Sequence, residues 1–106
     1  MNKLIIDTLS TIGLPVAYQH YTDDKPSFIR FSYLPQDDDS ADDDEFRTTH
    51  YVQVDYFTPG NTQSVRKQIK ELMKKAGFKK NFEHEVYETD TKLFHVILRF
   101  YIIKEE

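Results

Sequence analysis

The segment from Thr48 to Phe78 constrains the fold of this chain more than any other part of the sequence. It begins with alternating apolar and mixed side chains, the pattern of a β-strand whose two faces have different surroundings. Pro59 and Gly60 then interrupt the strand, because proline cannot donate a ladder hydrogen bond and glycine readily adopts positive φ. A helix follows directly, so the segment predicts an α+β fold.

The helix predicted after this stop carries an apolar stripe at helical spacing, formed by Val65, Ile69, Leu72, Met73 and Ala76. Asn61 is a typical N-cap residue, and Gly77 stands where a left-handed residue often ends a helix. We therefore expect this stripe to pack on the apolar face of the strands, against Val52, Val54, Leu98 and Phe100.

The remaining elements follow from the same two periodicities. A short helix is predicted over residues 2–12, ended by Gly13 and Pro15. Further strands are predicted over residues 15–21, 27–34, 79–88 and 92–103, the last two joined by a turn at 89–91. The predicted architecture is one domain, residues 1–106, with an antiparallel or mixed sheet of four to five strands and two helices packed on one face.

The composition limits the kinds of function that are open to the chain. With no cysteine, a thiol nucleophile, a disulfide framework and a cysteine metal site are all excluded. No apolar run approaches the ~20 residues that span a membrane. The N-terminal region has a single apolar triplet, residues 4–6, so we expect no signal peptide and a soluble protein made in the cytoplasm.

Negative charge is concentrated in one segment, at Asp37, Asp38, Asp39, Asp42, Asp43, Asp44 and Glu45. These seven residues carry a charge of −7, whereas the net charge of the whole chain is −4. The remainder of the chain therefore carries +3. Closely spaced like charges repel and prefer water, which predicts a mobile loop between two antiparallel strands. The segment lacks the spacing and the central glycine of an EF-hand calcium loop.

A second charged cluster is basic and surrounds the second helix and its exit, at Lys67, Lys70, Lys74, Lys75, Lys79 and Lys80. A solvated helix face near the negative end of the helix dipole explains most of this cluster. The alternative is a contact with nucleic acid or with an acidic partner.

The candidates for catalysis are few. If the turn at 89–91 pairs the last two strands, Glu85 lies beside His95, while His84 points to the other face. One histidine–carboxylate pair provides too few ligands for zinc, and the sequence contains neither a nucleophile elbow nor a glycine-rich phosphate loop. We therefore expect no enzymatic activity, no metal and no cofactor.

The sheet face opposite the predicted core mixes aromatic, aliphatic and charged side chains. On the third and last strands it carries Tyr51, Gln53, Asp55, Phe57, Ile97, Arg99 and Tyr101. Aromatic residues together with arginine are typical of protein interfaces, whereas scattered apolar surface residues are the alternative interpretation. We interpret these seven residues as an oligomer or partner interface.

Three segments resemble the tail-completion and tail-terminator proteins of long-tailed phages and prophages. They are LPVAYQHYTDDKPSFIRFSYL, HYVQVDYFTPGNTQSVRKQIKELMKKAGF and YETDTKLFHVILRFYI, and the order of the elements around them extends the resemblance over nearly the whole chain. The acidic insert at residues 37–45 departs from the family pattern.

The resemblance implies a structural virion protein that caps the tail tube as an oligomeric, typically hexameric ring and forms the head–tail junction. Its partners would be the tail-tube and head-completion proteins, and it would assemble in the host cytoplasm without a membrane. DNA would pass through the ring without specific binding, and residues 37–45 would either line that channel or form a solubilising outer loop. The alternative function is a small acidic cytosolic interaction protein, an adaptor or a DNA mimic, without catalytic activity.

Overall fold

The computed structural model of the protein describes residues 1–35 and 47–105. The described elements follow the predicted order: α1 (Asn2–Ser10), β1 (Val16–Tyr18), β2 (Phe28–Tyr33), β3 (Arg47–Thr58), α2 (Gln63–Lys75), β4 (Lys79–Glu88) and β5 (Leu93–Glu105). The α+β fold class is therefore confirmed. The acidic loop predicted at 37–45, with its suggested place in a channel, lies outside the described residues.

The described strands form one mixed sheet in the order β1-β2-β3-β5-β4. β1 runs parallel to β2, and the other neighbouring strands are antiparallel. The longest pairing joins β3 to β5, from Arg47 opposite Glu105 to Thr58 opposite Phe94. β1 is shorter than predicted because Gln19 adopts a φ of 64°, a left-handed conformation that takes the chain out of the strand.

Both helices pack on the same face of the sheet, as predicted. Ile5 and Leu9 of α1 and Ile69 and Met73 of α2 are fully buried in one core. The register gives β2, β3 and β5 a common core face, formed by Ile29, Phe31, Val52, Val54, Val96, Leu98 and Phe100. Leu72, which was expected among the core contacts, is partly exposed, so the buried stripe of α2 is narrower than predicted.

The start of α2 differs from the prediction by one residue. Asn61 does accept a hydrogen bond through its side chain, from the backbone N–H of Gln63 at 2.8 Å. The N-cap position itself belongs to Thr62. The Thr62 hydroxyl donates to the Glu85 carboxylate at 2.6 Å instead of capping the helix, so the preceding asparagine supplies the local acceptor.

The end of α2 agrees with the prediction that Gly77 stops the helix. Gly77 has a φ of 103°, which is favourable for glycine and strained for other residues. Its backbone N–H donates to the carbonyl of Lys74, and the N–H of Phe78 donates to that of Met73. These two hydrogen bonds form a Schellman motif, which satisfies helix carbonyls and turns the chain into β4.

The turn between β4 and β5 is one residue longer than predicted. Lys92 has a φ of 60° and donates its backbone N–H to the carbonyl of Glu88 at 2.8 Å. Lys92 thus belongs to the turn, and Glu88 pairs with Leu93. Because side chains alternate along a strand, this single residue exchanges the two predicted faces of β4 relative to β5.

The longer turn makes the predicted Glu85–His95 pair wrong. Glu85 lies opposite Val96, whose side chain faces the helices. His84 lies opposite Ile97, on the face that carries His95.

Ion pairs join α2 to β4. The carboxylate of Glu83 contacts Arg66, Lys80 and, at 3.2 Å, Lys70, and Arg66 also lies 3.0 Å from Glu85. Burial alone would raise the pKa of Glu83, but hydrogen bonds from Lys80, Arg66 and Lys70 outweigh it and lower this pKa to about 2. Glu83 is therefore ionised at neutral pH and holds the helix against the edge strand.

Replacing Ile69 with alanine should lower the free energy of unfolding by about 2–5 kcal/mol, because the buried side chain leaves a cavity that refills incompletely. A urea titration measures this loss. Leu72→Ala, on the same helix, is the matched control and should cost clearly less, since Leu72 reaches solvent. Equal losses in the two variants would contradict the assigned orientation of α2.

Glu83→Gln should remove a pH-dependent part of the stability. The pKa of Glu83 is about 2 in the folded protein, below its ordinary value of 4.5. Its contribution is therefore complete above the ordinary value and is lost as pH falls towards the folded value. Urea midpoints followed from neutral pH down to about pH 2 should show wild type and variant converging in acid. A difference that stays constant with pH would contradict this role of the carboxylate.

Candidate functional site

The seven predicted interface residues all lie on the sheet face opposite the helices, which we call the outer face. The β3–β5 register places Tyr51 beside Tyr101, Gln53 beside Arg99, Asp55 beside Ile97 and Phe57 beside His95. β2 and β4 extend these rows on either side. Both described helices pack on the opposite face, so neither of them covers the side chains of the outer face.

Asp55 is the centre of the outer face and is only 1% exposed. Its Oδ1 lies 2.7 Å from His95 Nε2 and accepts a hydrogen bond from Gln53 Nε2 at 3.0 Å. An Arg30 guanidinium nitrogen lies 3.8 Å from Oδ2. A buried carboxylate requires such partners, because withdrawing an unpaired charge from water is costly.

His95 is fixed on several sides by this network. Its Nδ1 lies 3.4 Å from Glu88 Oε2, while Nε2 faces Asp55. One face of the imidazole stacks on Phe57, with ring centroids 4.1 Å apart. A ring held at both nitrogens and on one face has little freedom, so His95 helps to fix the geometry of the outer face.

An aromatic stack extends from His95 across the sheet. Phe57 stacks on Phe28 at 4.7 Å, and Phe28 stacks on Tyr21 at 3.9 Å. The guanidinium of Arg30 lies 5.0 Å from the centre of the Phe57 ring, within cation–π range. Phe57 is consequently buried within its own chain, and its side chain supports the outer face from inside.

Gln53 links the buried carboxylate to a second arginine. Its Oε1 accepts a hydrogen bond from Arg99 Nε at 3.0 Å, while its Nε2 donates to Asp55. The guanidinium of Arg99 also lies 4.7 Å from the centre of the Phe82 ring. Both arginines of the network are therefore held by a polar group and an aromatic ring.

The apolar groups that remain exposed on the outer face lie at its margins. Phe82 is 40% exposed, Val86 37% and Ile103 50%. The sequence does not place Phe82 and Val86 on this face, because the predicted turn at 89–91 gives β4 the opposite orientation relative to β5. The longer turn and a register shift between Lys80 and Phe82 place Phe82 opposite Arg99 and Val86 opposite His95.

Within residues 1–35 and 47–105, no three histidine, aspartate or glutamate side chains gather as ligands for one metal ion. In the same part of the chain, neither helix is both long and apolar enough to cross a membrane.

Comparison with known proteins gives structural matches. No protein-family model matches the sequence, and no curated protein sequence matches it significantly. A chain from the virion of a native gene transfer agent particle matches with a TM-score of 0.64 and 13% identity, over 96% of this chain and 92% of that chain. A second solved chain matches with a TM-score of 0.57 and 14% identity, over 100% of this chain and 96% of that chain. At these identities, the matches show a shared fold over nearly the whole length.

Replacing Asp55 with alanine should lower the free energy of unfolding by on the order of 3 kcal/mol, because its partners lose a buried acceptor. Glu88→Gln is the control, since Glu88 meets the same His95 from a more exposed position, and it should cost less than about 1 kcal/mol. Chemical denaturation measures both values. Similar small losses would show that the buried carboxylate does not hold the network together.

Proposed function

We propose that the protein is a structural component of a phage or prophage virion. The observation that carries this proposal is the match of nearly the whole fold to a chain of the gene transfer agent virion. The resemblance of three sequence segments to tail-completion and tail-terminator proteins supports it. Its finer form is a ring, hexameric by that resemblance, that caps the tail tube at the head–tail junction.

A closed ring requires two different patches that meet, because each subunit contacts its neighbours head to tail. We assign one of these patches to the outer face. The opposite face is already covered by α1 and α2, whereas the outer face exposes apolar side chains at Phe82, Val86 and Ile103. Burying such groups against a neighbour is the principal favourable contribution to association.

The outer face is also preorganised for binding. Arg30 and Arg99 are each held by a polar group and an aromatic ring, so their ordering precedes association. A guanidinium has five N–H donors, and those that the chain does not use can bind carbonyl or carboxylate groups of a neighbour. Side chains that are already ordered lose less conformational entropy when a complex forms.

The proposed role is mechanical and needs no chemical step. The ring would stop tube growth, present a surface to the head-completion protein and leave a hole through which DNA passes without specific binding. Assembly would take place in the host cytoplasm, and the finished protein would reside in the virion tail.

Two neighbouring substitutions on β4 test the outer face. Val86→Asp places a charge on this face, whereas Tyr87→Asp places the same charge on the face that carries Phe94 and the helices. Both residues are exposed in the single chain, at 37% and 51%, so both variants should fold. Val86→Asp should abolish assembly, because an interface buries its charge without a partner, and Tyr87→Asp should leave assembly intact.

The measurement is solution mass by sedimentation velocity, for the protein alone and with the tail-tube protein of its own genome. Circular dichroism confirms that each variant is folded. Normal assembly of Val86→Asp would place the interface elsewhere. A wild-type protein that forms no oligomer in either condition would contradict the ring.

A further inference from the structure

A cleft with a lysine rim lies where α2 ends and β4 begins. It is lined by Lys70, Lys74, Phe78, Lys79, Lys80 and Phe100. Its apolar part comes from the two phenylalanines, whose rings also belong to the core. The Schellman motif at Gly77 creates this arrangement, because it turns the chain sharply enough to bring lysines of the helix and of the strand together.

The positive charge of this cleft is only partly neutralised by the chain itself. Lys70 and Lys80 both contact Glu83, which also forms an ion pair with Arg66, so three cations share one carboxylate. Within residues 1–35 and 47–105, Lys74 and Lys79 form no ion pair. The cleft therefore retains net positive charge beside an apolar floor.

The helix dipole accounts for only part of this charge. A lysine in the last turn of a helix is favourable next to the helix carbonyls, which explains Lys74. Lys79 and Lys80 belong to β4, outside the last turn of the helix, and they line the same cleft as the like charges of α2. Four lysines around an apolar floor fit a ligand that carries several carboxylates and one aromatic group.

We infer that this cleft binds the acidic segment of a neighbouring copy, residues 37–46, in the assembled ring. Seven carboxylates at 37–45 match the lysine rim, and Phe46, which follows them directly, matches the phenylalanine floor. The rest of the chain carries +3, so this segment is the concentrated source of negative charge in the protein. The inference rests on the proposed ring and gives it a second pair of complementary patches.

The segment connects two neighbouring strands of the sheet. It follows Pro35 at the end of β2 and precedes Arg47, which is the first residue of the β3–β5 ladder. The segment therefore joins the body of the protein at one end of the sheet.

A protein segment fits the cleft better than nucleic acid does. The apolar floor gives an aromatic side chain a place that a phosphate chain would leave empty.

The first experiment measures binding without requiring a ring. The receptor is the full-length chain in which the seven acids at 37–45 are replaced by asparagine, and the probe is a fluorescent peptide with the sequence of residues 36–46. Fluorescence anisotropy should show binding that weakens with added salt, because ion pairs at the surface are screened. Lys74→Glu with Lys79→Glu in this receptor should weaken binding by about tenfold or more.

Matched controls separate specific recognition from general charge. Lys25→Glu with Lys92→Glu changes the net charge equally at exposed positions away from the cleft, and should leave binding within about twofold. A peptide that carries Phe46→Ser should bind more weakly than the native peptide. The inference would be overturned if the native peptide did not bind. It would also be overturned if the two double lysine variants lost peptide affinity to the same extent.

Two further outcomes would also overturn it. If the wild-type chain, as a monomer, rejects a peptide that the asparagine variant binds, the chain's own segment occupies the cleft. If a duplex oligonucleotide displaces the peptide at a similar concentration, the cleft recognises nucleic acid instead.

The second experiment follows assembly and separates this inference from the proposed function. The variant with Lys74→Glu and Lys79→Glu should fold but fail to assemble, and changing Asp42 and Asp44 to lysine in the same chain should restore assembly. If the first variant assembles normally with the tail-tube protein, the ring stands and the cleft contact is wrong. If the wild type fails to assemble while the peptide still binds, the ring is wrong and the recognition of the segment stands.

Discussion

The pairing of β3 with β5 is the constraint on which the rest of the structure depends. Placing Val54 opposite Leu98 assigns every alternate residue of both strands to the core, and places Asp55 opposite Ile97 on the other side. A slip of one residue would move a buried charge into the core and a row of apolar groups out of it. The helices stabilise this register by covering the face that it makes apolar.

On the outer face, side chains are buried by one another, through polar and aromatic contacts, and not by a second apolar layer. Asp55, His95 and Gln53 satisfy one another through directional contacts that tolerate few alternative arrangements. A network of this kind often contributes less net stability than apolar packing of the same volume. Its value in an assembly would be geometric, since it fixes the direction of two arginines before a partner arrives.

Much of the fold could be predicted because its signals are local. The stop at Pro59 and Gly60 and the left-handed Gly77 act within a few residues, and the span predicted for β4 is the span observed. The partners of His95 could not be predicted, because they depend on which strands meet and in what register. The sequence at 89–92 is compatible with turns of different length, and only the φ of Lys92 decides which residues of β4 face outwards.

The turn at 89–92 has a consequence for how such a protein can change in evolution. Because it sets the faces of β4, losing or gaining one residue there would exchange Phe82 and Val86 with Glu83 and Glu85. The carboxylates that hold α2 would then point away from it, and the apolar side chains of Phe82 and Val86 would be forced towards the helix. Length variation at this turn should therefore be selected against, or occur in pairs of residues. Insertions and deletions that persist at this turn in descendants of this chain should contain an even number of residues, whichever residues they are.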